Sequence, residues 1–250
     1  MIKLTDRLQV IADQIQEQET MADIGTDHGF LPISLWERGI SPKVILADVS
    51  AGSLEKAREN ARQIYPGQWF DLRLGNGLQV LDPAEVDAVV IAGMGGVLMT
   101  QILGENLSKT RSFKKLILQP RTGQGSLRYW LIHNGFYIMR ECLVREGKYI
   151  CEVLTVVPGE KEECATVAEA AANVKAVSWA IEGRGPEDAE YEVPPWIFSA
   201  GALAAEFVRK KLLIEEGILN ELAKSKTPNE EKLRFIEHRI KYFKSLSGGD

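Results

Sequence analysis

The chain has 250 residues, 45% of them apolar and 26% charged, with a formal net charge of −5. That balance suits one large globular domain, or one domain plus an appendage, and excludes a collagen-like, low-complexity or disordered chain. It also excludes a generally basic nucleic-acid-coating protein, while leaving room for a local basic patch. No apolar run approaches the roughly 18 residues of a membrane span, so no membrane partner is expected. The opening MIKLTDRLQVIADQ carries early acidic residues and no apolar core, unlike a secretory signal. Cys142, Cys151 and Cys164 are irregularly spaced. They read as free thiols of a reducing cytoplasm rather than a disulfide framework, and no constellation of ligating residues suggests a metal.

Along residues 1–159, strand-like and helix-like stretches alternate. Thr5 caps a helix whose apolar residues are Leu8, Ile11, Ala12 and Ile15. Met21–Gly25 reads as a strand, Phe30–Arg38 as a helix stopped by Gly39, and Val44–Val49 as a second strand. The helix Gly52–Ile64, the turn Pro66–Gly67 and the strand Trp69–Leu74 follow. Next come the strand Val86–Ala92, the helix Val97–Leu103, the strand Leu116–Pro120 and the helix Ser126–His133. Gly135–Leu143 and Tyr149–Val157 read as strands joined at Glu146–Gly147. The alternation predicts an α/β fold with a mostly parallel sheet covered on both faces, and the short last turn predicts an antiparallel pair at one edge.

Charge divides the rest of the chain. Residues 1–159 hold 17 basic and 18 acidic side chains, 160–204 hold 3 and 9, and 205–250 hold 10 and 8. The expected organisation is a sheet domain over 1–159, an acidic connector over 160–204 and a helical hairpin over 205–250. In the connector, Ala165–Ala176 reads as a short helix, and the segments around Gly183–Pro186 and Val193–Pro195 as exposed loop. In the hairpin, Phe207, Val208, Leu212, Ile218, Leu219 and Leu222 face Leu233, Ile236, Ile240 and Phe243 across the break at Thr227–Asn229.

Four turns carry residues suited to chemistry. Asp23-Ile24-Gly25-Thr26-Asp27-His28-Gly29 lies where the first strand becomes a helix, the usual ligand position of a doubly wound sheet. Asp27 takes the place of the middle glycine of a dinucleotide fingerprint. Its carboxylate would repel a pyrophosphate, but it admits a cofactor with a cationic centre and an amino acid moiety, such as S-adenosyl-L-methionine. His28 either donates a hydrogen bond at the site or caps the turn. Asp48 ends the second strand, where it either accepts both hydroxyls of an adenosine ribose or caps the next helix. Asn76, in Gly75-Asn76-Gly77, either meets an adenine edge or forms a simple turn. Ala92-Gly93-Met94-Gly95-Gly96 leaves a wall without side chains at which substrate can approach closely. Gln119-Pro120-Arg121 ends the fifth strand within reach of substrate. His133 and His238 read as structural or surface residues.

Taken together, the segments ADIGTDHGFLP, ADVS, GNGL, IAGMGG and LILQP, with the edge EGKYICEVL, resemble the bacterial tRNA adenine-22 N1-methyltransferases over residues 4–157. The resemblance implies a Rossmann-like, seven-stranded class I methyltransferase sheet followed by a coiled-coil-like helical domain. It implies a cytoplasmic enzyme that methylates N1 of adenine in tRNA with S-adenosyl-L-methionine. Asp23, Gly25, Thr26, Asp27 and His28 would then lie at the methionine end of the cofactor. Asp48 and Val49 would hold its ribose, and Asn76 and Gly77 its adenine. Ala92 and Gly93 would border the cofactor, while Gly93, Met94 and Gly95 face the target base. Asp27 is the candidate for balancing charge on the methylated adenine. Arg7 and Arg121, with Arg209, Lys210, Lys211, Arg239 and Lys241 of the tail, would hold tRNA phosphates. A class I methyltransferase acting on a small molecule, and a cofactor-binding protein without catalysis, are the alternatives that the residues leave open.

Overall fold

The computed structural model describes residues 2–159, 184–224 and 229–247. Helix α1 (Asp6–Ala12) starts at Thr5, whose hydroxyl accepts from the Leu8 N–H at 3.3 Å. The elements β1 (Met21–Ile24), α2 (Phe30–Glu37), β2 (Val44–Asp48), α3 (Ala51–Ile64) and β3 (Asp71–Leu74) follow. Next come β4 (Ala88–Gly95), α4 (Gly96–Gly104), α5 (Leu107–Ser112), β5 (Lys115–Thr122) and α6 (Gln124–His133). The long hairpin β6 (Phe136–Glu146) and β7 (Tyr149–Pro158) completes one sheet in the order β3-β2-β1-β4-β5-β7-β6. Strands β1 to β5 pair in parallel, and β7 runs antiparallel to both β5 and β6. The strand order reverses between β1 and β4, which opens a crevice at their carboxyl ends.

Both faces of the central strands are buried, as the near-continuous apolar runs of β1, β2 and β4 require. Ala22, Ile24, Ile45, Val89 and Ile91 face one layer with Met99, Leu103 and Leu131. Met21, Leu46, Val90 and Ile117 face the other with Ile11, Ile33, Leu35 and Ala57.

Several expectations need correction. Trp69 and Phe70 lie outside β3. Phe70 instead packs edge-on against Trp36 at 5.1 Å, while Trp69 stays in solvent. Gly185 to Glu187 are exposed as expected, but the stretch around Val193 is not an exposed loop: Ala189, Tyr191 and Val193 are buried. They belong to the one-turn helix α7 (Ala189–Glu192) and its exit, which cover the outer end of the sheet with Trp196 and Ile197. The helix expected over Ala165–Ala176, and Cys164, fall outside the described residues.

Beneath that cover lies a buried charge cluster. The Arg128 guanidinium is wholly enclosed and contacts both Glu141 and Glu152. It also donates to the Tyr191 carbonyl at 2.9 Å, and the Trp196 indole donates to Glu141 at 3.0 Å. Burial pushes the Glu152 carboxyl up despite Arg128, whereas the flanking carboxylates hold Arg128 firmly protonated.

Helices α8 (Ala204–Ala223) and α9 (Glu230–Leu246) form the expected hairpin. Phe207, Val208 and Phe243 pack with Leu143 of β6, and Arg145 of β6 pairs with Glu206. The hairpin is therefore seated on the sheet. Leu213, Ile214 and Ile218 of α8 remain exposed. Among the described residues, no helix is long and apolar enough to cross a membrane.

Candidate active site

A cavity of about 300 Å³ opens at the crevice between β1 and β4. Its wall is built from Arg7 and Leu8 of α1, Asp23 of β1, Gly25 through His28 after it, Phe30 and Leu31 of α2, Ala92 and Gly93 of β4, and Arg121 of β5. The backbone after β1 is tightly wound. Gly25 has φ +82°, and a Cβ there would come within 2.3 Å of Met94 Cε. Glycine is what lets the two turns approach. Asp27 itself adopts φ +45°, a left-handed conformation uncommon outside glycine.

Asp23 supplies the strongest electrostatic feature. Its side chain is 6% exposed, and its pKa is pushed up to about 6. Burial is the main cause; the Thr26 hydroxyl lowers it, the Asp48 charge raises it and Arg7 lowers it. The Thr26 Oγ1 is buried beside this carboxyl. An electrostatically stressed carboxylate and a buried hydroxyl in a glycine-walled cavity fit a ligand with a cationic head and hydrogen-bonding groups.

Asp48 stands just outside this wall. Its Oδ1 accepts from the Ser50 N–H at 2.7 Å and its Oδ2 from the Asp27 N–H at 3.4 Å. Ser50, not Asp48, caps α3, because its hydroxyl accepts from Ser53 N–H. Each Asp48 oxygen retains a free lone pair for a hydroxyl donor. Val49 is exposed beside it. Asn76 lines a neighbouring cleft of about 490 Å³ with Leu98, Gln101 and Ile102. Its side chain caps nothing, and Gly77 opens a 3-10 turn packed on Ile102.

Asp27 faces solvent with the His28 imidazole Nε2 at 3.3 Å and the Lys56 ammonium at 4.0 Å. His28 stacks on Phe30 with ring centroids 5.5 Å apart. Gly93 has φ +78° and nothing within 4 Å of where a Cβ would stand. Gly95 caps α4 with its backbone alone.

The cavity therefore unites Arg7, Asp23, Gly25, Thr26, Asp27, His28, Ala92, Gly93 and Arg121, all singled out from sequence. Leu8, Phe30 and Leu31 were not singled out as site residues, because apolar side chains on helices read as core. The tail residues lie elsewhere, and two of them are not on its exposed face. Lys211 is tied to Glu192 and packs over Phe207. Arg239 donates to Glu215 at 2.8 Å and to the Glu187 carbonyl at 2.5 Å. Lys210 reaches the Lys148 carbonyl at 3.1 Å, while Arg209 and Lys241 are exposed and make no ion pair among the described residues.

A parallel sheet with an antiparallel outer pair and a glycine-walled crevice at its switch point defines a methyltransferase, and residues 4–154 match the family model described as a methyltransferase domain. Over 161 residues the chain is 32% identical to the tRNA (adenine(22)-N(1))-methyltransferase of Bacillus subtilis strain 168, covering 64% of this chain and 68% of that protein. The chain belongs to the tRNA (adenine(22)-N(1))-methyltransferase family. Among solved structures, the B. subtilis m1A22 tRNA methyltransferase TrmK superposes with a TM-score of 0.80 at 26% identity, over 99% of this chain and 100% of that one. Sp1610 of Streptococcus pneumoniae, in complex with S-adenosyl-L-methionine, gives 0.77 at 25% identity, over 98% and 100%.

Proposed function

We propose that the cavity between α1, β1 and β4 seats the methionine end of S-adenosyl-L-methionine, and that the open turn at Gly93 admits the target adenine. The chain is an S-adenosylmethionine-dependent tRNA (adenine-N1)-methyltransferase, and its substrate position is adenine 22. The observation that supports this use of the cavity is the buried Asp23 carboxyl, beside the Thr26 hydroxyl and lining the same cavity as the side-chain-free wall of Gly93. The cytoplasm, where tRNA is modified, is the proposed place of action.

When bound, the cofactor supplies an electrophilic methyl on a sulfonium centre. Asp48 offers its free lone pairs to the ribose hydroxyls, and Val49 flanks them. Asn76 and Gly77 border the adenine through the neighbouring cleft. Asp23 gains a cationic partner, which offsets part of the cost of burying it. Adenine N1 carries an in-plane lone pair, so no residue has to remove a proton before attack. What the protein contributes is position and exclusion of water. Gly93, Met94 and Gly95 shape the wall along which the base edge approaches. The methylated base is cationic, and Asp27 places negative charge at the same cavity. Arg7 and Arg121 at the cavity, with Arg209, Lys210 and Lys241 on the hairpin, hold backbone phosphates while the base is drawn from its contacts.

The test is methyl transfer from S-adenosyl-L-methionine to total tRNA lacking the modification, followed by nucleoside analysis. 1-Methyladenosine is the expected product; its absence, with methylated small molecules instead, would overturn the substrate assignment.

A further inference from the structure

Near its end, β4 slips against β5. Ala92 stands opposite Gln119 and Met94 opposite Pro120, so Gly93 is the extra residue of a bulge. A bulged residue loses its ladder partner, and its N–H needs another acceptor. The Gln119 side chain provides one: its Oε1 accepts from the Gly93 N–H at 3.1 Å. The same oxygen accepts from Arg7 Nη1 at 3.1 Å, and Gln119 Nε2 donates to the Pro120 carbonyl at 3.0 Å. Two donors on one side and a carbonyl on the other leave a single satisfactory orientation of the amide. Gln119 is 2% exposed, so water is poorly placed to replace it. Arg7 is held from its other side by Glu146 at 2.8 Å.

We propose that Gln119 is a positioning residue for methyl transfer: through one buried oxygen it fixes the Gly93 wall that receives the target base and locks that wall to Arg7 of α1. The proposal rests on the reading of Gly93 as the base-facing wall. It explains why a turn with a glycine at positive φ, and no side chain packed on it, keeps a defined shape. A free glycine turn would sample several conformations, and misplacing a reacting group by about 1 Å costs roughly 10²-fold in rate.

Three variants and three measurements test it. Gln119→Met keeps the length and removes both acceptor bonds, whereas Gln119→Glu keeps an oxygen for Gly93 and Arg7. Hydrogen exchange at the Gly93 amide reads the wall without any tRNA. Exchange should accelerate in Gln119→Met and remain slow in Gln119→Glu. In single turnover at saturating cofactor and tRNA, Gln119→Met should lose about 10²-fold, with calorimetric affinity for S-adenosyl-L-methionine within about threefold of the parent. Gln119→Glu should recover to within about tenfold of the parent rate. Where Gln119→Met fails to fold, Gln119→Asn, which withdraws the oxygen by one methylene, is read the same way. Unchanged exchange in a folded variant lacking the acceptor overturns the proposal. So does a parental rate in that variant, or a Gln119→Glu rate no better than its own. If the parent protein does not methylate tRNA, the fault lies with the functional reading, and the exchange data still judge the role of Gln119.

Discussion

Asp23 opposes folding at neutral pH. Its folded pKa of about 6 lies above the ordinary 3.8, so the folded state binds the proton more tightly. Stability from this residue is therefore greatest at low pH and falls as pH rises from about 4 to about 6. Two pH units correspond to about 3 kcal/mol at pH 8. Asp23→Asn should accordingly melt higher than the parent above pH 6, with the difference vanishing below pH 4. The same variant should bind S-adenosyl-L-methionine more weakly, since a charged partner is gone. Equal melting curves at pH 8 would show that Asp23 is not stressed. Asp48 is the converse case, a half-buried acceptor whose oxygens are only partly used. Asp48→Ala should weaken cofactor binding by about 2–3 kcal/mol, and calorimetry on the folded variant decides it.

At the scale of single elements, the turn after β4 is the sensitive one. Gly93→Val should leave cofactor affinity within a few-fold but abolish methyl transfer, because a branched side chain would enter the open space there. Near-normal turnover on tRNA would place the base elsewhere. The strands and helices of the sheet were legible because buried apolar runs of four or five residues alternate with capped, periodic stretches. Helix α5 was missed: six residues, LSKTRS, are too short to show a period. The sequence pattern ends β4 at Ala92, since a glycine-rich run signals a loop, yet pairing continues to Gly95. The lining of the candidate cavity was legible in Asp23, Asp27, Gly25 and Gly93, whose types are unusual at strand ends. Gln119 stood in view only as a substrate contact. Its bond to Gly93 depends on the slipped register, and register across two strands is not written in either one.

For the whole molecule, the Arg128 cluster is what joins the sheet to the segment that follows. One guanidinium serves two buried carboxylates, so its loss leaves both uncompensated. Arg128→Met should destabilise by about 3–5 kcal/mol, and Glu152→Gln far less, since burial already disfavours its charge. Chemical denaturation of the two variants provides the comparison. The segment after the sheet also packs onto it: Tyr191, Trp196 and the hairpin cover Arg128, Glu141 and Leu143. Lys211 and Arg239 are taken up by Glu192 and Glu215, partners 19 and 24 residues away that helical spacing does not reveal. The tRNA role of the hairpin is therefore tested better with Arg209→Ala and Lys241→Ala together. The slope of log affinity against log salt should fall by roughly one to two, and an unchanged slope would leave tRNA binding to the sheet domain.

The cover over Arg128 also sets a schedule. Ribosomes release the chain from its amino end, so Arg128, Glu141 and Glu152 emerge well before Tyr191 and Trp196. Until then the outer edge of the nascent sheet holds a half-enclosed ionic cluster open to water. Final closure of the catalytic half must wait for residues beyond 190, and stalled chains ending near 160 should remain more sensitive to protease than released protein.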